Sequence, residues 1–127
     1  MLQPGISAEV KFVVTDELTA KTVGSGTLDV LATPVMIARL EQAAWTSVAP
    51  HLAEGEGTVG TLMNAKHLSP TPVGLEVRAE ADVTAVEGKK ISFVINAFDE
   101  AGEIGKATHT RVLVNSERFL EKTYQKL

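Results

Sequence analysis

Glu41 is a charged residue at a position where the pattern of the chain predicts an apolar one. It shares one helical face with Ile37, Ala44 and Val48, at spacings of four, three and four residues. Carboxylates are rarely buried without a partner, so two interpretations stay open. In the first, Glu41 belongs to a site, as a base or a nucleophile. In the second, it is partly exposed to solvent and pairs with Arg39, Lys66 or the end of a neighbouring element.

His67 and Thr33 are two further candidates for chemistry. His67 shares one face of a predicted strand with Val59, Thr61, Met63 and Ala65. An imidazole there can act as a general acid or base near neutral pH, or it can be a core histidine hydrogen-bonded to the backbone. Thr33 precedes Pro34 and is predicted to be a helix N-cap. Its hydroxyl suits the polarisation of a carbonyl oxygen, and simple capping is the alternative.

Other polar patterns point less clearly to a site. His109 and Arg111 lie on one face of the last predicted strand, where Arg111 either meets a phosphate or is solvated. The segment 55–60 matches G-x-G-x-x-G, but it follows a helix and opens a strand, so it is predicted to be a turn and not a dinucleotide site. The three histidines lack the spacing of metal ligands, so no metal site is predicted.

The composition limits the class of protein. The chain has 127 residues, 44% hydrophobic and 22% charged, which predicts one globular domain over 1–127. Twelve Lys and Arg against sixteen Asp and Glu give a net charge of -4, which disfavours nucleic acid as a partner. There is no cysteine, no signal-peptide pattern and no apolar run of membrane-spanning length. We therefore expect a cytoplasmic protein with no membrane contact.

Periodicity predicts the elements that carry these residues. A largely apolar helix over 34–51 is predicted to be buried. Strands are predicted over 6–14, 58–68, 75–86, 91–98 and 103–114, the last four as an antiparallel meander, and 116–127 is either a short helix or a frayed tail. This order predicts an α+β fold with the sheet wrapped around the helix. One helix covers only part of such a sheet, so a dimer is plausible.

Several motifs in one order resemble a known family. They are LEQAAW, HLAEGEGTVGT, KHLSPTPVGL, VEGKKISF, and EIGKATHTR followed by RF. Over about residues 31–119 the chain resembles the hotdog-fold thioesterases, and within them the fluoroacetyl-CoA thioesterase-like group. The resemblance implies a hotdog fold, in which an antiparallel sheet of about five strands wraps around one long central helix.

The resemblance also implies a set of site residues. Thr33, Glu41 and His67 match the catalytic threonine, glutamate and histidine of the family. Gly60 matches its pocket glycine, and His109 and Arg111 fall in a substrate-binding strand where Ala107 replaces the usual glycine. A homodimer with active sites at the subunit interface is implied, with no cofactor or metal. Residues 21–31 lack the aromatic lid of fluoroacetyl-specific members, so that substrate is not carried over.

The expected function is hydrolysis of a small or medium acyl-CoA. In it, Glu41 attacks the thioester or activates water, His67 protonates the leaving thiolate or activates water, and Thr33 orients the reactants. Two alternatives stay open: a binder of acyl-CoA or another acyl ligand that does not hydrolyse it, and a dehydratase acting on 3-hydroxyacyl thioesters. Thr33 and Glu41 are eight residues apart, about 12 Å along a helix. Both reach one carbonyl only if the chain before Pro34 curls back or a partner subunit supplies one of them.

Overall fold

The computed structural model describes residues 1–127 as a sheet of five strands and one long helix. The strands are β1 (Ser7–Val13), β2 (Glu56–His67), β3 (Glu76–Glu87), β4 (Lys90–Asp99) and β5 (Gly102–Asn115). The helices are α1 (Ala20–Val23), α2 (Thr33–Val48) and α3 (Ser116–Tyr124), with 3-10 turns at Asp16–Leu18 and Ala49–His51. The α+β architecture predicted from the sequence is confirmed. The turn and short helix between β1 and α2 were not predicted.

Helix α2 begins one residue earlier than predicted. Its N-cap is Ala32, whose side chain gives no capping hydrogen bond, and Thr33 is the first helical residue. The prediction that Thr33 is the N-cap is therefore wrong. Pro34 tolerates this position because its missing N–H would have had no partner in the first helical turn. The Thr33 hydroxyl is not used for capping and is available to a neighbouring element.

One side of α2 packs on the concave face of the sheet. The helix contributes Met36, Leu40, Ala43, Ala44 and Val48 to the core, opposite Val77, Ala79, Ala81 and Val83 of β3. The alternation predicted for β3 is thus confirmed up to Val83, where a register shift begins. The opposite side of α2 is open, and Trp45 is 46% exposed. The expectation of a helix buried on most faces is wrong for this chain on its own.

The strand order is β1-β3-β4-β5-β2, and all pairs are antiparallel. The predicted meander of four strands is therefore wrong for β2, which pairs with β5 and not with β3. The connection from β2 to β3 is too long for a tight hairpin, and it runs beside the residues that precede α2, where Pro72 bridges to Val30 and the Leu31 N–H donates to the Thr71 carbonyl. A buried hydrogen bond from the Thr71 hydroxyl to the Asp99 carboxylate, 2.8 Å long, anchors this connection.

A bulge in β2 decides which of its side chains face the helix. Gly60 lies opposite Arg111, whereas Leu62 lies opposite Thr110, so Thr61 is an extra residue in the strand. Thr61 therefore does not share the face of His67 as simple alternation predicted, and Gly60 does. The other edge of β2 has no partner strand, and it is the longer of the two edge strands.

The C-terminal segment is a helix and not a frayed tail. Its N-cap is Asn115, whose side chain accepts a hydrogen bond from the backbone N–H of Arg118 at 3.0 Å. Phe119, Leu120 and Tyr124 of this helix are exposed. None of the three helices has the length and apolar character needed to cross a bilayer.

Candidate active site

Thr33 and His67 meet where α2 begins and β2 ends. The Thr33 Oγ1 and His67 Nδ1 atoms are 2.7 Å apart, which is hydrogen-bond distance. The other ring nitrogen of His67, Nε2, is buried and has no hydrogen-bond partner. One nitrogen thus holds the ring in place, and the other makes no hydrogen bond within the chain.

The surroundings of His67 keep its ring neutral near pH 7. Burial lowers the pKa of His67, and the backbone of Ser69 opposes this with a smaller effect. A cavity of about 300 Å³ adjoins the ring and is lined by Ala20, Ser25, Val30, Leu31, Thr33, His67, Leu68, Ser69 and Pro70. A neutral imidazole beside such a cavity can accept or donate a proton during a reaction.

Glu41 lies eight residues, about two turns, farther along α2 and pairs with β5. Its Oε2 atom is 3.3 Å from Nη1 of Arg111 and 3.9 Å from Nε2 of His109. Of the partners expected from the sequence, Arg39 donates to Gln42 and Lys66 is not used, whereas another element, β5, supplies the partners. The carboxylate side chain is 42% exposed, so it is anchored on one side and open on the other.

Arg111 is held by more than its ion pair. It is only 7% exposed, and its Nε donates to the Thr58 hydroxyl at 2.8 Å while its Nη2 donates to the Thr58 carbonyl at 2.9 Å. Burial lowers the pKa of Arg111, and Glu41 opposes this as the partner charge. The interpretation of Arg111 as a solvated residue is wrong, because the side chain is buried and its donors face Thr58, His109 and Glu41.

His109 has a defined tautomer. Its Nδ1 lies 2.6 Å from the carbonyl oxygen of Leu62, which can only accept, so Nδ1 carries the proton. Its Nε2, 3.2 Å from Nη1 of Arg111, therefore accepts from the guanidinium. Burial and, less strongly, Arg111 lower the pKa of His109 against the opposing effects of the Leu62 carbonyl and Glu41. His109 thus serves as a neutral acceptor beside Arg111.

Gly60 leaves the space that this cluster occupies. A Cβ atom there would lie 2.6 Å from Glu41 Oε2, 3.2 Å from His109 Cε1 and 3.4 Å from Arg111 Nη1. The first distance is too short for any real contact, so a side chain at this position displaces the carboxylate. The glycine is needed here for close approach and not for an unusual backbone conformation.

The predicted site residues fall into two clusters. Thr33 and His67 form the histidine cluster, and Glu41, Thr58, Gly60, His109 and Arg111 form the carboxylate cluster. No hydrogen bond or ion pair joins the two within the chain. Thr58 was missed from the sequence, although its spacing of two residues from Gly60 puts both on one face of β2. No group of three or more His, Asp or Glu side chains is arranged to hold a metal ion.

Comparison with known proteins places the chain in a family. Residues 14–117 match the sequence model of the family described as FlK, fluoroacetyl-CoA-specific thioesterase. The chain belongs to this family. It is 39% identical over 98 residues to the fluoroacetyl-CoA thioesterase of Streptantibioticus cattleyicolor, a match that covers 77% of this chain and 70% of that enzyme.

Solved structures of the FlK thioesterase superpose closely on this member of the family. One is 32% identical with a TM-score of 0.94 and covers 100% of this chain and 98% of that one. Another, a variant solved with fluoroacetate and CoA, is also 32% identical, with a TM-score of 0.87 and coverage of 93% and 99%. The hotdog architecture expected from the sequence is confirmed.

Proposed function

We propose that this FlK family member is a thioester hydrolase that cleaves a small or medium acyl-CoA to the free acid and CoA. The observation that carries the proposal is the Thr33–His67 pair, which holds an imidazole with one unpartnered, buried nitrogen beside a cavity at the first turn of α2. The backbone N–H groups of a first helical turn have no partners within the helix and carry partial positive charge. They suit a carbonyl oxygen on which negative charge develops.

The chemistry needs an acid–base group and a carboxylate. In the proposed reaction, the C–S bond of the thioester breaks, and neutral His67 passes a proton from water to the departing thiolate of CoA. The oxygen added to the acyl carbon comes from water, either by direct attack with Glu41 as base or by hydrolysis of an anhydride formed with Glu41. Both routes use the open side of the Glu41 carboxylate while Arg111 holds the other side.

Separation of the two clusters within the chain supports a site shared by two subunits. The free edge of β2 can pair with β2 of a second copy in an antiparallel, two-fold arrangement. If the two-fold axis passes close to Met63 and Asn64, His67 lies opposite Gly60 of the partner subunit. The carboxylate beside that glycine then faces the imidazole. We therefore propose a homodimer in which one subunit supplies Thr33 and His67 and the other supplies Glu41.

The acyl group is proposed to be small or medium from the walls of the His67 cavity. Segment 21–31 forms part of this wall with Ser25, Val30 and Leu31, and it contains no aromatic residue. The fluoroacetyl group that names the relatives is therefore one candidate among short acyl groups, and is not assigned to this protein. Fluoroacetyl, acetyl, butyryl and hexanoyl thioesters of CoA are the appropriate panel.

A thiol-release assay over that panel tests the function. We expect turnover of at least one short or medium acyl-CoA, and a fall of about 10²- to 10⁴-fold in Glu41→Gln and in His67→Ala with folding unchanged. His51→Ala, in an exposed 3-10 turn, is the matched control and should behave as wild type. Tight acyl-CoA binding without thiol release identifies a binding protein, and wild-type turnover in either site variant refutes the assigned roles.

We further propose that residues 1–127 act as one domain in the cytoplasm. Because the chain has no cysteine, its fold depends on no disulfide bond, which suits a reducing compartment. Cell fractionation with an antibody against the chain tests the location, and recovery mainly in the membrane or secreted fraction would contradict it.

A further inference from the structure

Two lysines face each other on the outer face of the sheet. Lys66 of β2 and Lys106 of β5 are direct cross-strand partners. Like charges in this position destabilise a sheet unless something compensates them. Neither ammonium group has a carboxylate within ion-pair distance, whereas Lys11 and Arg78 on the same sheet do.

The lysine pair belongs to a surface cavity of about 230 Å³. Five of the seven residues that line it carry a hydrogen-bonding group at the end of the side chain, namely Asn64, Lys66, Asn96, Lys106 and Thr108; the other two are Val94 and Ala107. Two carboxylates on neighbouring strands have other partners. Glu103 accepts from Asn96 at 3.0 Å, and Glu80 pairs with Arg78 at 2.9 Å. The positive charge of the pair is therefore left for an anion from outside the chain.

The cavity is close to the proposed reaction centre along the chain but on the other face of the sheet. Lys66 is the residue immediately before His67, and successive strand side chains point to opposite faces. Strand β2 ends at His67, so a long flexible ligand can pass around the strand end from one face to the other. CoA has this shape, because its pantetheine arm separates the thioester from the pyrophosphate and the 3′-phosphate.

We propose that Lys66 and Lys106, with Asn64 and Thr108, bind phosphate groups of the CoA carrier. This proposal rests on the function proposed above and adds the part of the substrate that is recognised away from the reaction centre. The chain as a whole has a charge of -4 and repels a polyanion, so a local pair of free ammonium groups is needed to attract one. Lysine binds phosphate as a point charge, which suits a groove open to solvent.

Binding of three related ligands tests the proposal without requiring catalysis. The dissociation constants of CoA, dephospho-CoA and pantetheine are measured by titration calorimetry for the wild type, Lys66→Gln, Lys106→Gln and the double variant. We expect each single change to weaken CoA binding about fivefold and the double change about 20-fold, with no effect on pantetheine. If the binding of dephospho-CoA no longer depends on the two lysines, the pair binds the 3′-phosphate. If it still depends on them, the pair binds the pyrophosphate. Lys89→Gln, in the turn between β3 and β4, is the matched control.

The outcomes separate this proposal from the proposed hydrolysis. If the double variant binds CoA as tightly as the wild type, or if pantetheine binding weakens equally, the lysine pair does not bind phosphate. If no acyl-CoA is hydrolysed but CoA binding still depends on both lysines, the hydrolase assignment fails and the phosphate site stands. In an active enzyme, the double variant should raise KM for acyl-CoA and leave turnover of the matching acyl-pantetheine unchanged.

Discussion

The histidine cluster and the carboxylate cluster are held in place in different ways. A single hydrogen bond to Thr33 positions His67, and its Nε2 is left without a partner. Glu41, in contrast, is anchored by Arg111, which is itself fixed by Thr58 and His109. A group that exchanges protons needs a free nitrogen, whereas a carboxylate beside buried neighbours needs a fixed partner charge. The contrast supports the proposal that His67 transfers a proton while Arg111 fixes the position of the Glu41 carboxylate.

Among changes that leave Glu41 and His67 in place, the largest expected effect comes from crowding the carboxylate cluster with one methyl group. In Gly60→Ala, the new Cβ atom would lie 2.6 Å from Oε2 of Glu41, which is too close for a contact, so the carboxylate must move. Misplacement of a reacting group by about 1 Å costs about 100-fold in rate, so we expect kcat/KM to fall by about that factor. Thermal melting should show a folded protein, because the backbone at Gly60 is ordinary for any residue.

Gly57→Ala is the matched control for this change on the same strand. The added Cβ there meets only the Ser116 hydroxyl, a side-chain end that can rotate away. Its kcat/KM should stay near the wild-type value. Full activity in Gly60→Ala would show that the position of Glu41 is not critical, and the two clusters would then not differ as described.

A smaller effect is expected from loosening Arg111. Thr58→Val keeps the shape of the side chain and removes the acceptor for Arg111 Nε, while the bond to the Thr58 carbonyl remains. Loss of one hydrogen bond of this kind costs about 1 to 1.5 kcal/mol, so we expect kcat to fall about fivefold to tenfold with little change in KM.

Thr58→Ser restores the hydroxyl and should recover most of that activity. Thr84→Val, which removes an exposed hydroxyl bonded to the Ser92 carbonyl, controls for the general effect of valine on a strand. Equal losses in Thr58→Val and Thr58→Ser would mean that packing, and not the hydrogen bond, explains the effect.

The smallest effect is a dependence of stability on pH. Burial lowers the pKa of His67 and of His109 from their ordinary value of 6.5. Below pH 6.5 the unfolded chain therefore binds more protons than the folded chain, so the free energy of unfolding decreases as pH falls toward the lowered pKa values. Above that pH this contribution is constant. Urea unfolding between pH 5 and 8 measures it.

His109→Gln separates the two clusters in this measurement. Because it removes one of the two buried imidazoles, we expect a shallower decrease of stability below pH 6.5 than in the wild type. The exposed His51→Gln should leave the slope unchanged. An identical slope in His109→Gln would contradict a neutral His109 in the carboxylate cluster.

The elements were predictable where side-chain period and burial agree. The alternation of β3 is confirmed, because one face of that strand lies on α2 and the other faces solvent. The strand order was not predictable, since β2 pairs with β5 by a crossing that local periodicity does not record. The bulge at Thr61 was not predictable either, because one extra residue changes which side chains of β2 face the helix without changing the composition.

The candidate residues were found by type and spacing, but their partners were not. The pattern identified Glu41 as anomalous without indicating Arg111, which is seventy residues away along the chain. The local signal before Pro34 favours a helix N-cap at Thr33, with capping and carbonyl polarisation as the alternatives, whereas its actual partner, His67, comes from another element. Tertiary contacts of this kind depend on strand order and register, which the sequence alone left undetermined.

The central claim is that one reaction centre combines the histidine cluster of one subunit with the carboxylate cluster of its partner. Glu41→Gln and His67→Ala proteins, each inactive alone, are denatured together in equal amounts and refolded, and thioesterase activity is then measured. Shared sites restore one intact centre in each mixed dimer, so we expect about a quarter of wild-type activity. Refolding each variant separately and mixing afterwards is the control. Mixed dimers with no recovered activity would show that both residues must come from the same chain, which contradicts the shared site.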